Sequence, residues 1–173
     1  AAVALARIGP AAAETIVSGL NAADGPLRAA LVRALGKVGH PEAADILRGM
    51  CREEANVALA ALEAMQNLGL DAGEISEEIL AHPDAEVVKR ALTSLRDAVS
   101  LEQLERLLRH PAWDVRLAAV ERLAPNADQP AVAAALERRR RLEEDDLVRG
   151  LIERTAARSP AEEGEPEGGE GEG

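Results

Sequence analysis

Aromatic side chains are almost missing from this chain: it has one tryptophan, Trp113, and no phenylalanine or tyrosine in 173 residues. A core must then be built from Ala, Leu, Val and Ile, which let helices approach closely but bury less area per side chain than aromatic rings do. Cysteine is nearly absent too. Cys51 stands alone, so no internal disulfide can form, and a single unpaired thiol points to a cytosolic setting. No uninterrupted apolar run reaches membrane-spanning length. The opening AAVALARIG has no basic leader of the kind that begins a secretion signal. Positive charge is in the minority, with 20 Lys and Arg against 31 Asp and Glu and a net charge of −11. Six glutamates (Glu162, Glu163, Glu165, Glu167, Glu170 and Glu172) follow Pro160 and leave about −5 on the rest. Such a balance disfavours nonspecific binding to nucleic acid or to anionic membranes.

What is present is a repeat. In GPLRAALVRALGKVG, residues 25–39, the spacing of Leu27, Leu31, Ala34, Leu35 and Val38 puts them on one face of a helix that Gly39 ends. Thirty residues on, Leu35 becomes Met65, Val38 becomes Leu68 and Gly39 becomes Gly69; thirty residues back they become Leu5, Ile8 and Gly9. Two further steps of twenty-eight fill the Leu35 slot with Leu95 and Leu123. A period near thirty is the mark of a solenoid.

Between these helices lie partner helices with their own apolar stripes. Ile16, Val17 and Leu20 mark the first, Ile46, Leu47 and Met50 the second, and Ile75, Ile79 and Leu80 a shorter third. Leu101, Leu104, Leu107 and Leu108 mark the fourth, and Val132 and Leu136 the fifth, over residues 129–142. A last helix over 145–157 carries Leu147, Leu151 and Ile152. The expected domain is a solenoid over residues 1–158, and the Glu/Gly-rich stretch 159–173, with no apolar residue larger than Ala, is expected to be disordered. Ala1 aligns with Leu31, so the first repeat lacks its opening turn. The chain reads as the C-terminal piece of a longer array or as a processed product. That open repeat, with Val3, Leu5 and Ile8 beside the single charge of Arg7, is expected to fray or self-associate, whereas the charged last helix reads as a closed cap.

The strings LRAALVRALGKVG and DVRLAAVERL, and more loosely EVVKRALTSL and LVRGLIERT, resemble short HEAT-type repeats, of the kind found in phycobilin-lyase-like and bacterial scaffold proteins. The resemblance covers residues 1–157. It departs from the family's valine-arginine step, which is kept at Val115-Arg116 but becomes Val57-Ala58 and Val87-Val88 elsewhere. Tetratricopeptide aromatic positions and the ankyrin T-P-L-H-x-A string are absent. The resemblance implies an all-α, right-handed α-solenoid of about five helix pairs, a noncatalytic role, and a protein partner bound on the concave face formed by the second helices. An alternative that it implies is a lyase-associated or chaperone-like subunit holding a tetrapyrrole or its acceptor protein.

Catalytic relatives of that fold leave recognisable traces. The di-iron hydroxylase of this kind needs repeated His-Glu pairs, but His40, His82 and His110 are each followed by proline. A DNA glycosylase of this kind needs a basic concave face with aromatic residues, which this composition does not supply. No phosphate loop, Cys-x-x-Cys pair or nucleophile elbow occurs, and no cofactor or metal is expected.

The His-Pro dipeptides read as helix starts, with proline at the first helical position. They also fall in a row: aligning the partner helices places Arg52, His82, His110 and Arg138 along one rim, where they could meet an anionic partner. Ser18, Arg48, Glu78 and Arg106 form a mixed polar row beside it. The run Arg138–Arg141 reads as a solvated face, with pairs Arg139–Glu143, Arg140–Glu144 and Arg141–Asp145 at i,i+4 spacing if the helix continues. Trp113 reads as a packing residue, or as a binding anchor if exposed. Cys51 aligns with Asn21 and Ala81 in a row read as partly exposed.

Overall fold

A computed structural model describes residues 12–39, 42–95 and 98–158. The helix expected near residues 1–9, the His40-Pro41 pair and the tail 159–173 lie outside the described residues. Among those described there are ten α-helices: α1 Ala13–Leu20, α2 Gly25–Val38, α3 Ala43–Met50, α4 Ala55–Asn67, α5 Ser76–Leu80, α6 Ala85–Leu95, α7 Leu101–Leu107, α8 Trp113–Leu123, α9 Pro130–Leu142 and α10 Asp146–Arg158. They form an all-α solenoid. The even-numbered helices pack one on the next from α2 to α10, and each odd-numbered helix packs chiefly on the even-numbered helix that follows it. The result is a tight first layer of even helices and a looser second layer of odd ones.

The helix ends follow from local chemistry. Gly39 and Gly69 end α2 and α4 at positive φ (74° and 66°), a conformation that only glycine adopts without strain. Pro26 lies in the first turn of α2, and Pro130 opens α9. Ser100 and Gln103 form a reciprocal capping box at α7, Asp84 accepts the Glu86 and Val87 N–H groups at α6, and Asp145 accepts those of Leu147 and Val148 at α10.

The recurring slots are the core. Leu35, Met65, Leu95 and Leu123 are all at most 3 % exposed, and Val57, Val87 and Val115 are fully covered. Two residues depart from that register. Leu27 shares the slot of Val57, yet it is 54 % exposed, and Leu147, expected on the buried stripe of the last helix, is 63 % exposed while Val148 is buried instead. The reason is stacking. Helices α4, α6 and α8 have a first-layer neighbour on each side, whereas among the described residues α2 has only α4 and α10 has only α8. Leu27 and Leu147 are the positions that lack such cover among the described residues, whereas Leu35 on α2 and Ile152 on α10 stay buried.

The closest approach in the first layer is between α2 and α4. A Cβ built on Gly36 would lie 2.5 Å from the Ala64 Cβ and 2.6 Å from its Cα, so the two backbones meet where only glycine fits. Gly49 in α3 has open space instead. We expect Gly36→Ala to lower the melting temperature, because overpacking costs about 1–3 kcal/mol against about 1 kcal/mol gained in helix propensity. Gly49→Ala should raise it or leave it unchanged, and circular-dichroism melts of the two variants check the contrast.

Candidate functional site

The two predicted rows lie along the second layer, but they are not a free cationic rim. Each arginine of the two rows reaches a carboxylate about one repeat away: Arg52 pairs with Glu78 at 2.8 Å, the half-buried Arg48 with Glu74 at 3.4 Å, Arg138 with Glu105 at 3.0 Å, and Arg106 with Glu77. Arg48 also holds Asp45 on its own helix at 3.0 Å. The Arg106 guanidinium holds the Glu77 carboxyl below its ordinary range. Ser18 is exposed at the head of the polar row. The rim is a ladder of alternating charge that stitches neighbouring repeats, and pairs this exposed contribute about 0–1 kcal/mol each.

The histidines differ from the arginines. His82 is only 8 % exposed, and both ring nitrogens are engaged: Nδ1 accepts the Asp84 N–H at 3.0 Å, and Nε2 donates to the Glu53 carbonyl at 2.9 Å. That bond ties the α5–α6 turn to the α3–α4 turn one repeat earlier. His110 is half-buried, and its Nδ1 accepts the Ala112 N–H at 3.1 Å. Both histidines act as turn caps ahead of a helix. Contrary to the expected placement, Pro83 and Pro111 are not at the first helical position but precede it by two residues.

The valine-arginine step has a definite role. Arg116 is 8 % exposed and donates to Glu143 through Nε and Nη2 (3.0 and 2.7 Å) and through Nη1 to the carbonyls of His110 and Pro111 (3.0 and 2.9 Å). Glu143 is 3 % exposed; it also accepts Arg139 at 2.7 Å and the N–H groups of Glu144 and Asp145. Burial alone would push the Glu143 carboxyl up, but the hydrogen bonds from Arg116 and Arg139 more than reverse this and hold it at about 2. Arg28 occupies the same slot in α2 and pairs with Glu53 at 3.0 Å, whereas in the two repeats between them the slot holds the fully buried Ala58 and Val88. The latch is therefore present at the first and last of these positions and apolar between. The string DVR pointed to Arg116; its partner, 27 residues away in a turn, gave no local signal.

The basic run pairs differently from expectation at two of three positions. Arg139–Glu143 forms, but α9 ends at Leu142 and Glu143 is extended, so Arg140 and Arg141 turn back to Glu137 at 2.7 and 2.9 Å. These two guanidiniums hold the Glu137 carboxyl down at about 2. Trp113, expected to pack, is 44 % exposed at the first position of α8. Cys51, expected in a partly exposed row, is 1 % exposed with its Sγ 3.9 Å from the Met65 sulfur, and burial pushes its thiol up to about 12. A thiol held protonated in this way is not a nucleophile.

Grooves remain between second-layer helices. One of about 230 Å³ lies between α5 and α7, lined by Glu77, Leu80, Gln103, Arg106, Leu107 and His110. Its helices are joined by Gln103, whose amide donates to Ser76 Oγ at 3.1 Å and to Glu77 at 2.9 Å. A smaller one of about 110 Å³ lies between α7 and α9 and includes Leu108, Arg109, Ala135, Arg138 and Leu142. A larger one, about 470 Å³, is an open trough on the first layer, lined mostly by charged side chains such as Arg33, Glu63, Glu86 and Lys89. Those charges are already matched, Arg33 with Glu63 at 3.0 Å and Lys89 with Glu86 at 2.5 Å.

Residues 1–71 match the family described as HEAT repeats. No curated protein and no solved structure matches the chain. HEAT repeats generally serve as protein-interaction scaffolds and are typically noncatalytic. No helix among the described residues is long and apolar enough to cross a membrane.

Proposed function

We propose that this chain, a HEAT-like repeat protein, is a noncatalytic scaffold that binds a partner protein across its second layer. The observation that carries the reading is the pair of grooves between α5, α7 and α9: each has an aliphatic floor, with Arg106 at the edge of one and Arg109, Arg138 and Arg139 at the edge of the other. That combination gives a partner both apolar surface to cover and charges to align with, the features that fix affinity and register in protein recognition. The first-layer trough is larger, but it gives a partner little apolar surface, with Leu59 the one aliphatic side chain in its lining. In this reading residues 1–158 are the binding body, and 159–173 form a separate acidic tail.

Two charge-matched triple variants test it. Arg52→Glu/Arg106→Glu/Arg138→Glu alters the second layer, and Arg33→Glu/Lys37→Glu/Arg90→Glu alters the first. All six side chains are exposed, so both variants should remain folded by circular dichroism. Partner proteins captured by the tagged wild-type chain should fall at least about tenfold with the second-layer variant and persist with the first-layer one. The opposite pattern would refute the assignment of the face.

A further inference from the structure

We infer that the groove between α7 and α9 takes a leucine-sized aliphatic side chain from an acidic segment of a partner protein, with Arg109 receiving the neighbouring carboxylate. The inference rests on the proposed second-layer reading and narrows it to one subsite and one chemistry. Three observations support it.

The first is shape. Helices α5 and α7 are joined by the buried Gln103 amide, but the only polar link between α7 and α9 among the described residues is the exposed Arg138–Glu105 pair. The gap leaves Leu142 72 % exposed above Leu108 and Ala135, which are each 3 % exposed. Its volume of about 110 Å³ lies far below the roughly 300–1,000 Å³ of small-molecule sites. A slot a few water volumes in size, at about 30 Å³ each, suits a single aliphatic side chain.

The second is charge. Three guanidiniums (Arg109, Arg138 and Arg139) line the slot against the single carboxylate of Glu105. Arg138 is paired with Glu105 and Arg139 with Glu143. Arg109 is exposed and its side chain engages no partner among the described residues. One positive charge is thus uncompensated beside an apolar slot, on a body that is otherwise acidic.

The third concerns the competing occupant. Residues 159–173 carry carboxylates but no side chain larger than proline or glutamate and no aliphatic one beyond alanine, so they can satisfy Arg109 without filling the slot.

The test uses the full chain, with its Leu and Ala methyl groups observed by NMR, titrated with a synthetic nonapeptide of glutamates around one central leucine. Saturable shifts should appear at Leu108, Ala135 and Leu142. A peptide with alanine at the centre should bind about tenfold more weakly, given that each buried methylene counts. Arg109→Gln should weaken the leucine peptide several-fold and flatten its salt dependence. Equal binding of the two peptides, saturable shifts elsewhere, or none at millimolar peptide would overturn the inference. So would Leu142 shifts that track protein concentration alone (a second copy in the slot) or that vanish when residues 160–173 are deleted (the tail in the slot). The capture experiment above is independent. If the second-layer variant loses its partner while the peptide leaves the slot unmoved, only this inference fails.

Discussion

Leu95→Asp should unfold the array under conditions where Thr93→Asp leaves it intact. Leu95 is 3 % exposed on α6, the helix that bridges α4 and α8, and it fills the slot of Leu35, Met65 and Leu123. An aspartate there loses the buried leucine and places a carboxylate in an apolar core, at a cost of about 3–5 kcal/mol. Domains of this size are stable by only about 5–15 kcal/mol in all. Because each repeat is held by its neighbours, a failure at α6 also removes the interfaces on both sides. Thr93 sits two residues away on the exposed face, in the slot of Arg33, Glu63 and Glu121, and its hydroxyl only back-bonds to the Lys89 carbonyl. Circular-dichroism melts, with Trp113 fluorescence as a second probe on α8, should separate the two variants by more than ten degrees. Similar curves would mean that the register is wrong.

Removing the latch should cost nearly as much. Arg116→Met leaves the buried Glu143 carboxylate with Arg139 as its one remaining cation among the described residues, and breaking a buried pair from one side costs about 3–5 kcal/mol. For a chain of this length that is on the order of 10 °C in melting temperature. Arg116→Lys should recover only part of it, because an ammonium cannot make four directed bonds to Glu143, His110 and Pro111 at once. The same pair predicts a pH dependence. Glu143 has its carboxyl lowered on folding, from 4.5 to about 2, so its contribution is present above the unfolded value and is lost as pH falls through that window. Wild type should therefore lose stability between about pH 4.5 and 2, and Arg116→Met should lose less over the same range. Parallel pH profiles for the two proteins would contradict the latch.

The sequence made the layering legible because burial in a solenoid is periodic: Val57, Val87 and Val115 recur at like spacing and are equally covered. It misled at Leu27 and Leu147, both exposed, because a repeated slot is buried only where a neighbour stacks on it, and periodicity does not report that neighbour. The candidate row was legible only in part. Aligning Arg52, His82, His110 and Arg138 collected the cations of successive repeats, but the acids that answer them lie in other registers: Glu78, 26 residues from Arg52 and named only in the row beside it, and Glu105, 33 residues from Arg138 and in neither row. His82 looked like a surface group because histidine is polar, yet its ring closes a turn and bonds across a repeat. Arg109, outside both rows, is the guanidinium that remains free among the described residues of the α7–α9 groove. Such a property emerges only once every neighbouring pair has been assigned.

Hydrogen exchange of the chain alone and in complex with its captured partner tests the central claim most directly. The account predicts added protection in α5, α7 and α9, centred on residues 101–109 and 135–142, with α4 and α6 unchanged. Added protection confined to the first-layer trough around Arg33, Glu63 and Lys89 would contradict it.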